Sequence, residues 1–234
     1  PVRALHGIAT RLAERGHRVE VFTTDARGDA VSGVRLEPSE TLEGVAVTRF
    51  RNWGGRRVLF FAPALGRALS RRVGEFDVVH SSCGFAWTAA QVRRHARRAR
   101  VPYVYQPHGA MDPIARTRRR LLKRLYFPLV ERAVVRDAAA CVALTRFEAE
   151  CLVRAGADPA RVVTIPNGVR LDPSAPGGRG DFRRRCAIPD LAPLALCVGR
   201  LHHGKRQDLA IEALRRLRAD GLDVRLALVG PDEG

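Results

Sequence analysis

Lysine is nearly missing from this chain. Of its 41 basic residues only Lys123 and Lys205 are lysines, so composition alone does not explain a lysine at a particular turn. No apolar run approaches the roughly 20 residues of a membrane-spanning helix. The opening residues, from Pro1, read as an amphipathic helix rather than a signal peptide. The five cysteines, Cys83, Cys141, Cys151, Cys186 and Cys197, are odd in number and contain no C-x-x-C pair, which argues against structural zinc. Aromatic residues make up only 6% of the chain, few for the stacking platforms of a single-strand nucleic-acid binder. No internal repeat and no extended low-complexity tract is present.

The 234 residues leave room for one large domain or two small ones. A hydrophobic content of 46% is ordinary for a globular protein. The net charge of +17 attracts polyanions, anionic lipid surfaces and phosphorylated ligands, but says nothing about fold. Cys141 and Cys197 fall inside apolar strand patterns and read as small core residues. The expectation is a reduced, cytoplasmic chain.

Helix and strand patterns alternate along the sequence. Helical spacing covers Ala4–Glu14 and stops at Gly16, and His17–Thr24 reads as a strand. Gly33–Glu37 and Val45–Phe50 read as a hairpin pair around a polar turn. Pro63 opens a helix through Val73, since proline suits a first turn. Asp77–Ser82 is a buried strand, Phe85–Ala99 a helix, and Tyr103–Gln106 a strand leading into the loop PHGAMDP. Arg116–Ala138 reads as a long helix kinked at Pro128. Ala140–Leu144 is a strand, Arg146–Ala155 a helix closed by Gly156, and Arg161–Pro166 a strand running into Asn167-Gly168. Short apolar strands separated by helices predict an α/β fold with a parallel sheet. In such sheets ligands sit beyond the carboxyl ends of the strands. The polar loops His80-Ser81-Ser82, Pro107-His108-Gly109, Pro166-Asn167-Gly168 and Gly199-Arg200 fall at those ends.

The turn-rich stretch Pro173–Asp181 has no periodicity and marks a boundary. Residues 1–170 are expected to form one domain and 171–193 a linker. Residues 194–234 are expected to begin a second sheet, too small by itself to bury two faces. The chain opens without Met and stops in a loop, and the expectation is a piece of a longer polypeptide.

The most informative segment is VGRLHHGKRQDLAIEAL, Val198–Leu214. An apolar strand, Leu194–Val198, meets Gly199-Arg200, Lys205 follows, and helical spacing resumes at Leu209. A strand, a glycine turn with two cations and a helix N-terminus make an anion site. Its natural guest is a diphosphate, which uses both the planar fork of Arg and the compact charge of Lys. The competing reading is a charged surface turn with no ligand.

Together these stretches resemble retaining glycosyltransferase family 4, whose members have the GT-B fold of two Rossmann-like domains. The matching segments are LAERGHRVEVFTTD (Leu12–Asp25), FDVVHSS (Phe76–Ser82), VPYVYQPHGAMDP (Val101–Pro113), TRFEAE (Thr145–Glu150), VVTIPNGV (Val162–Val169) and the G-R-L…K opening of the second sheet. They occur in the family's order over nearly the whole chain. The resemblance implies transfer of a sugar from a nucleotide-diphosphate sugar to an acceptor hydroxyl, with retention, in cell-surface polysaccharide, glycolipid or glycoconjugate synthesis. It implies no cofactor and no metal beyond that co-substrate. Arg200 and Lys205, with Gly199, would hold the donor diphosphate and stabilise the leaving group. His108, next to Gly109, would face the sugar near the reacting carbon, and Asn167-Gly168 would line the cleft. His80 would lie toward the acceptor. The acceptor is a carbohydrate, a lipid-linked or a small molecule, and peripheral association with an anionic membrane is compatible with this chemistry.

Three departures from the family stand out. The glycine-rich loop before the first helix is not in the chain. Arg206 replaces the usual Gly after the lysine. The acidic pair expected in the C-terminal domain lies past Gly234, so these residues alone are expected to be inactive. Two other readings stand beside the enzyme: a non-catalytic family member and a basic polyanion-binding protein. Thr145 to Glu148 reads as a capping box, which explains Glu148 without a site role. His202-His203 are adjacent in a turn, where two imidazoles rarely converge on one ion. Arg116–Leu129 is a basic amphipathic stretch that suits an anionic membrane surface or simply a solvated helix face.

Overall fold

Hydrophobic spacing and turn chemistry account for most element boundaries. The computed structural model describes residues 2–26, 37–53, 60–113, 126–169 and 179–231. The chain divides into two compact units, Pro1–Arg170 and Leu171–Gly234.

The first unit opens with helix α1 (Val2–Glu14) and strand β1 (Glu20–Thr24). The hairpin that follows pairs β2 (Ser39–Leu42) with β3 (Val45–Phe50). Its turn residues Glu43 and Gly44 both have positive φ, 46° and 79°, the signature of a tight hairpin turn matching strand twist. The pairing therefore differs from the sequence expectation: β3's partner is 39–42, while 33–36 lie outside the described residues. Glutamate is not a usual residue for such a turn, so the hairpin signal was masked. β3 also pairs parallel with β1, giving the order β1-β3-β2. Ala9, Val45 and Val47 form a small core between α1 and this sheet.

The second sheet of this unit is parallel throughout, in the order β4 (Val79–Ser82), β5 (Tyr103–Gln106), β6 (Ala140–Ala143), β7 (Val162–Thr164). Cys141, Val142 and Ala143 are buried in succession, so β6 is covered on both faces, as parallel sheets require. Helix α2 (Pro63–Arg72) starts at proline, and α3 (Trp87–Ala99) ends where Arg100 turns left-handed. Both carry arginines in the last turn, where cations suit the helix dipole. Leu65, Leu69, Ala89, Val92 and Ala96 from these helices join Tyr103, Tyr105 and Leu152 in the main core.

The long helix expected around Pro128 is a π-helical turn, Phe127–Glu131, followed by α4 (Arg132–Arg136). Proline offers no backbone donor, and the wider turn absorbs the gap. The rest of that basic stretch, 114–125, lies outside the described residues. Helix α5 (Arg146–Ala155) is capped by Thr145, whose Oγ accepts from the Glu148 N–H at 3.1 Å, and it ends at Gly156.

Two ionic clusters brace this unit. Arg72 donates to both carboxylate oxygens of Glu20, at 2.8 and 3.0 Å, and reaches Glu75 at 2.9 Å. Its guanidinium also lies over the rings of Phe22 and Phe76. Asp137 receives Arg93, Arg97 and Arg136.

The second unit begins, among described residues, with α6 (Arg179–Arg185), a helix that the turn-rich sequence did not announce. Arg183 is buried and donates to the carbonyls of Pro189 and Ala192, fastening the chain that enters β8. Strands β8 (Leu194–Val198) and β9 (Arg225–Val229) pair parallel around α7 (Gln207–Ala219).

Candidate active site

Backbone strain gathers at the carboxyl ends of β4 and β5. Cys83, Phe85 and His108 have φ of 84°, 54° and 51°, and Gly109 has 80°. Side chains tolerate this region poorly, and it concentrates at functional sites. The two loops are packed together. The Cys83 N–H donates to the Gln106 carbonyl at 3.1 Å. A Cβ on Gly84 would stand 2.6 Å from the Ala110 Cβ and 3.1 Å from the Tyr105 hydroxyl, so only glycine permits the approach.

Beneath the loops the polar groups are fixed. Tyr105 is fully buried and its hydroxyl donates to Glu131, itself fully buried. Burial, reinforced by the neighbouring carboxylate, pushes the Tyr105 phenol well above its ordinary value, so it remains a donor. At the surface of the same strand ends, several polar atoms have no partner. Ser82 Oγ, Gln106 Oε1 and both ring nitrogens of His108 are buried and make no hydrogen bond among the described residues. Ser82 and Gln106 are directly paired across β4 and β5, and His108 lies two residues further on. Such a cluster is costly unless a ligand or water completes it. Hydroxyl, amide and imidazole are the groups that recognise the hydroxyls of a polyol or sugar.

Burial lowers the His108 pKa below its ordinary 6.5, with a small opposing pull from Glu148 and a push from His80. His80 is exposed on β4 but crowded by protein. That crowding lowers its pKa too, against the Gln106 side chain. Both imidazoles are therefore neutral donors and acceptors at neutral pH.

Glu148 is the residue that sequence reasoning missed. It is buried, at 5% exposure. Its N–H completes half of the capping box with Thr145, but its carboxylate does not serve as the other half. One oxygen accepts from the Gly109 N–H and the other from the Leu144 N–H at 2.7 Å. The T-x-x-E spacing signals a cap, and nothing local signals a contact 39 residues away. A non-glycine residue in the left-handed region costs about 1–2 kcal/mol. A hydrogen bond to a charged group contributes about 1.5–3 kcal/mol, enough to hold His108 there.

Asn167 and Gly168 lie past the end of β7, exposed and outside any helix or strand. Neither has positive φ.

Gly199, Arg200 and Lys205 belong to the second unit. The Gly199 N–H donates to the Val229 carbonyl at 2.9 Å and the Leu201 N–H to Pro231 at 2.8 Å. A Cβ on Gly230 would fall 1.9 Å from the Gly199 carbonyl oxygen, a second glycine requirement not seen from sequence. Gln207 Nε2 donates to the Arg200 carbonyl at 2.8 Å, tying the helix start to the strand end. Lys205 is exposed and makes no ion pair among the described residues. Arg206, the cap residue of α7, makes no side-chain cap, while Asp208 in the first turn sets its carboxylate against Arg206 and the N–H groups of Asp208 and Leu209. Arg206 adopts φ 56° and pairs with Asp208 at 3.0 Å. The backbone thus follows the path that glycine takes freely, here under strain. The Nδ1 of His202 accepts from the Gly204 N–H at 3.0 Å.

The comparisons with known proteins give the family and the fold. Residues 1–168 match the glycosyl transferase 4-like domain, and the chain belongs to that family. The α/β fold is that of the GT-B class. The D-inositol 3-phosphate glycosyltransferase of Geodermatophilus obscurus is 34% identical over 226 residues, covering 91% of this chain and 49% of that protein. The protein of the same name from Gordonia bronchialis is 31% identical, covering 97% and 52%. The chain therefore spans about half the length of these curated relatives. A crystal structure of Anabaena Alr3699/HepE with UDP and glucose aligns with a TM-score of 0.54 at 20% identity, over 81% of this chain and 49% of that one. That likeness is one of fold. Among the described residues no helix is long and apolar enough to cross a membrane.

Proposed function

We propose that this protein transfers a sugar from a nucleotide-diphosphate sugar to an acceptor hydroxyl, with retention of anomeric configuration and without a bound metal. The observation that carries this reading is the cluster of unpartnered Ser82, Gln106 and His108 atoms at the carboxyl ends of β4 and β5, in a glycosyl transferase 4-like domain. Neutral His108 faces the donor sugar, with Gly109 allowing close backbone approach. Arg200 and Lys205 neutralise the diphosphate as the glycosidic bond breaks, when the leaving group gains charge. The positive end of the α7 dipole lies beside the same turn. His80 and the exposed Asn167-Gly168 segment flank the sugar on the acceptor side and along the sheet end. The relatives' name makes D-inositol 3-phosphate the first acceptor to offer, and a basic chain suits a phosphorylated one.

The test uses the protein in its natural full length. A panel of UDP- and GDP-sugars is assayed for hydrolysis and for transfer to D-inositol 3-phosphate, and the anomer formed is read by NMR. Arg200→Ala with Lys205→Ala should lower kcat/KM about 10²–10³-fold. Unchanged turnover in that double variant, or an inverted product, overturns the reading.

A further inference from the structure

We infer that Glu148 is a positioning residue that acts through His108, an inference that rests on the reading of His108 as the group facing the sugar. Three observations carry it. The first is the fate of the carboxylate. In a capping box it would return to the N–H of its own helix start. Here it leaves the helix and accepts from Gly109, in a loop on another strand, and from Leu144, at the end of β6. It thereby locks the ends of two adjacent strands, β5 and β6, to a third element, α5.

The second observation is what it holds. His108 and Gly109 are consecutive left-handed residues, a conformation that costs a histidine about 1–2 kcal/mol. Turn hydrogen bonds from Ala110 to Pro107 and from Asp112 to Gly109 are 3.3 and 3.2 Å long and are local to the loop. Glu148 is the contact that refers the loop to the sheet. Gly84 closes the other side, where Ala110 packs against it.

The third observation is what does not hold the imidazole. Neither ring nitrogen of His108 has a partner among the described residues. The direction of the ring is therefore set by the backbone beneath it, and that backbone is set by Glu148. A group aimed through its backbone is sensitive to sub-ångström shifts of its anchor.

The experiment is a double-mutant cycle with a spectroscopic readout. Glu148→Gln keeps one acceptor oxygen and places an amide NH2 against a backbone N–H. Glu148→Asp keeps both oxygens on a shorter arm and serves if the amide variant folds poorly. With the fastest donor of the sugar panel, Glu148→Gln should lower kcat about 10²-fold and leave the donor KM within about threefold. In the His108→Ala background the same change should cost less than about twofold. The His108 ring resonance should shift and broaden in Glu148→Gln, while that of His6 stays in place. Equal kinetic losses in both backgrounds, or an unmoved His108 resonance, would show that Glu148 only supports the fold, and the positioning role falls. If His108→Ala itself turns over at the wild-type rate, the reading of the site falls and the inference with it.

Discussion

The turn carrying His108 and the turn carrying Lys205 both follow a parallel strand, and they are held by different means. The first is bound to distant parts of the sequence. Glu148 anchors it from 39 residues away, Gly84 makes room for it, and buried polar atoms around it lack partners. The second is held by neighbours, His202 to Lys205 and Gly204 and Gln207 to Arg200, and by backbone bonds to the adjoining strand end at Val229 and Pro231. Its cationic side chains face solvent. A group that must be aimed at one atom needs a rigid mount, whereas a charge that meets a mobile diphosphate works from an exposed, adaptable side chain.

The largest expected effect tests whether the exposed turn is as tolerant as its surface suggests. Gly230→Ala drives a methyl into the Gly199 carbonyl and should cost about 3 kcal/mol, read by denaturant unfolding. A neutral result would mean that the ends of β8 and β9 are free to separate. Next comes Gly84→Ala, which meets the Ala110 methyl rather than backbone and should cost about 2 kcal/mol. It should also shift the His108 ring resonance, because the crowded loop is the one carrying that residue. A shift without a stability loss would show the loop to be softer than its packing implies.

Acidification sharpens the contrast at a smaller scale. His80 and His108 have folded pKa values below the ordinary 6.5, chiefly through desolvation. Below 6.5 the unfolded chain binds protons that the folded state resists, so stability is present above that pH and lost as pH falls. The variant His80→Gln with His108→Gln should flatten the unfolding midpoint's dependence on pH between about 6.5 and 5. An unchanged slope would place the proton uptake elsewhere. The smallest effect has the opposite sign. Arg206→Gly relieves the left-handed backbone before α7 and should raise Tm by about 2 °C. A fall in Tm would make the Arg206–Asp208 pair worth more than the strain.

The same contrast explains what could be read from sequence. The helix Arg146–Ala155 and the strand Tyr103–Gln106 were legible to the residue, because each boundary has a local cause in Thr145, Gly156 or Pro107. The turn at Gly199–Lys205 was legible because its parts are contiguous. Glu148 was misread as a simple cap, since a local rule explained it while its carboxylate answered to a loop on another strand. The β2–β3 hairpin was missed because Glu43 occupies a positive-φ position that usually advertises itself with Asn, Asp or Gly. Gly84 and Gly230 looked like any glycines near strand ends. What marks them is the atom they would strike, which only packing reveals.

The scarcity of lysine gives the second unit a practical handle. Apart from the α-amino group, acylating reagents find only two nucleophilic amines in this chain, and Lys205 is exposed. Within these 234 residues, replacing Lys123 with arginine leaves a single side-chain amine, at the turn proposed to hold the donor diphosphate. Its rate of labelling then becomes a direct gauge of occupancy, measurable by mass spectrometry before any acceptor is known.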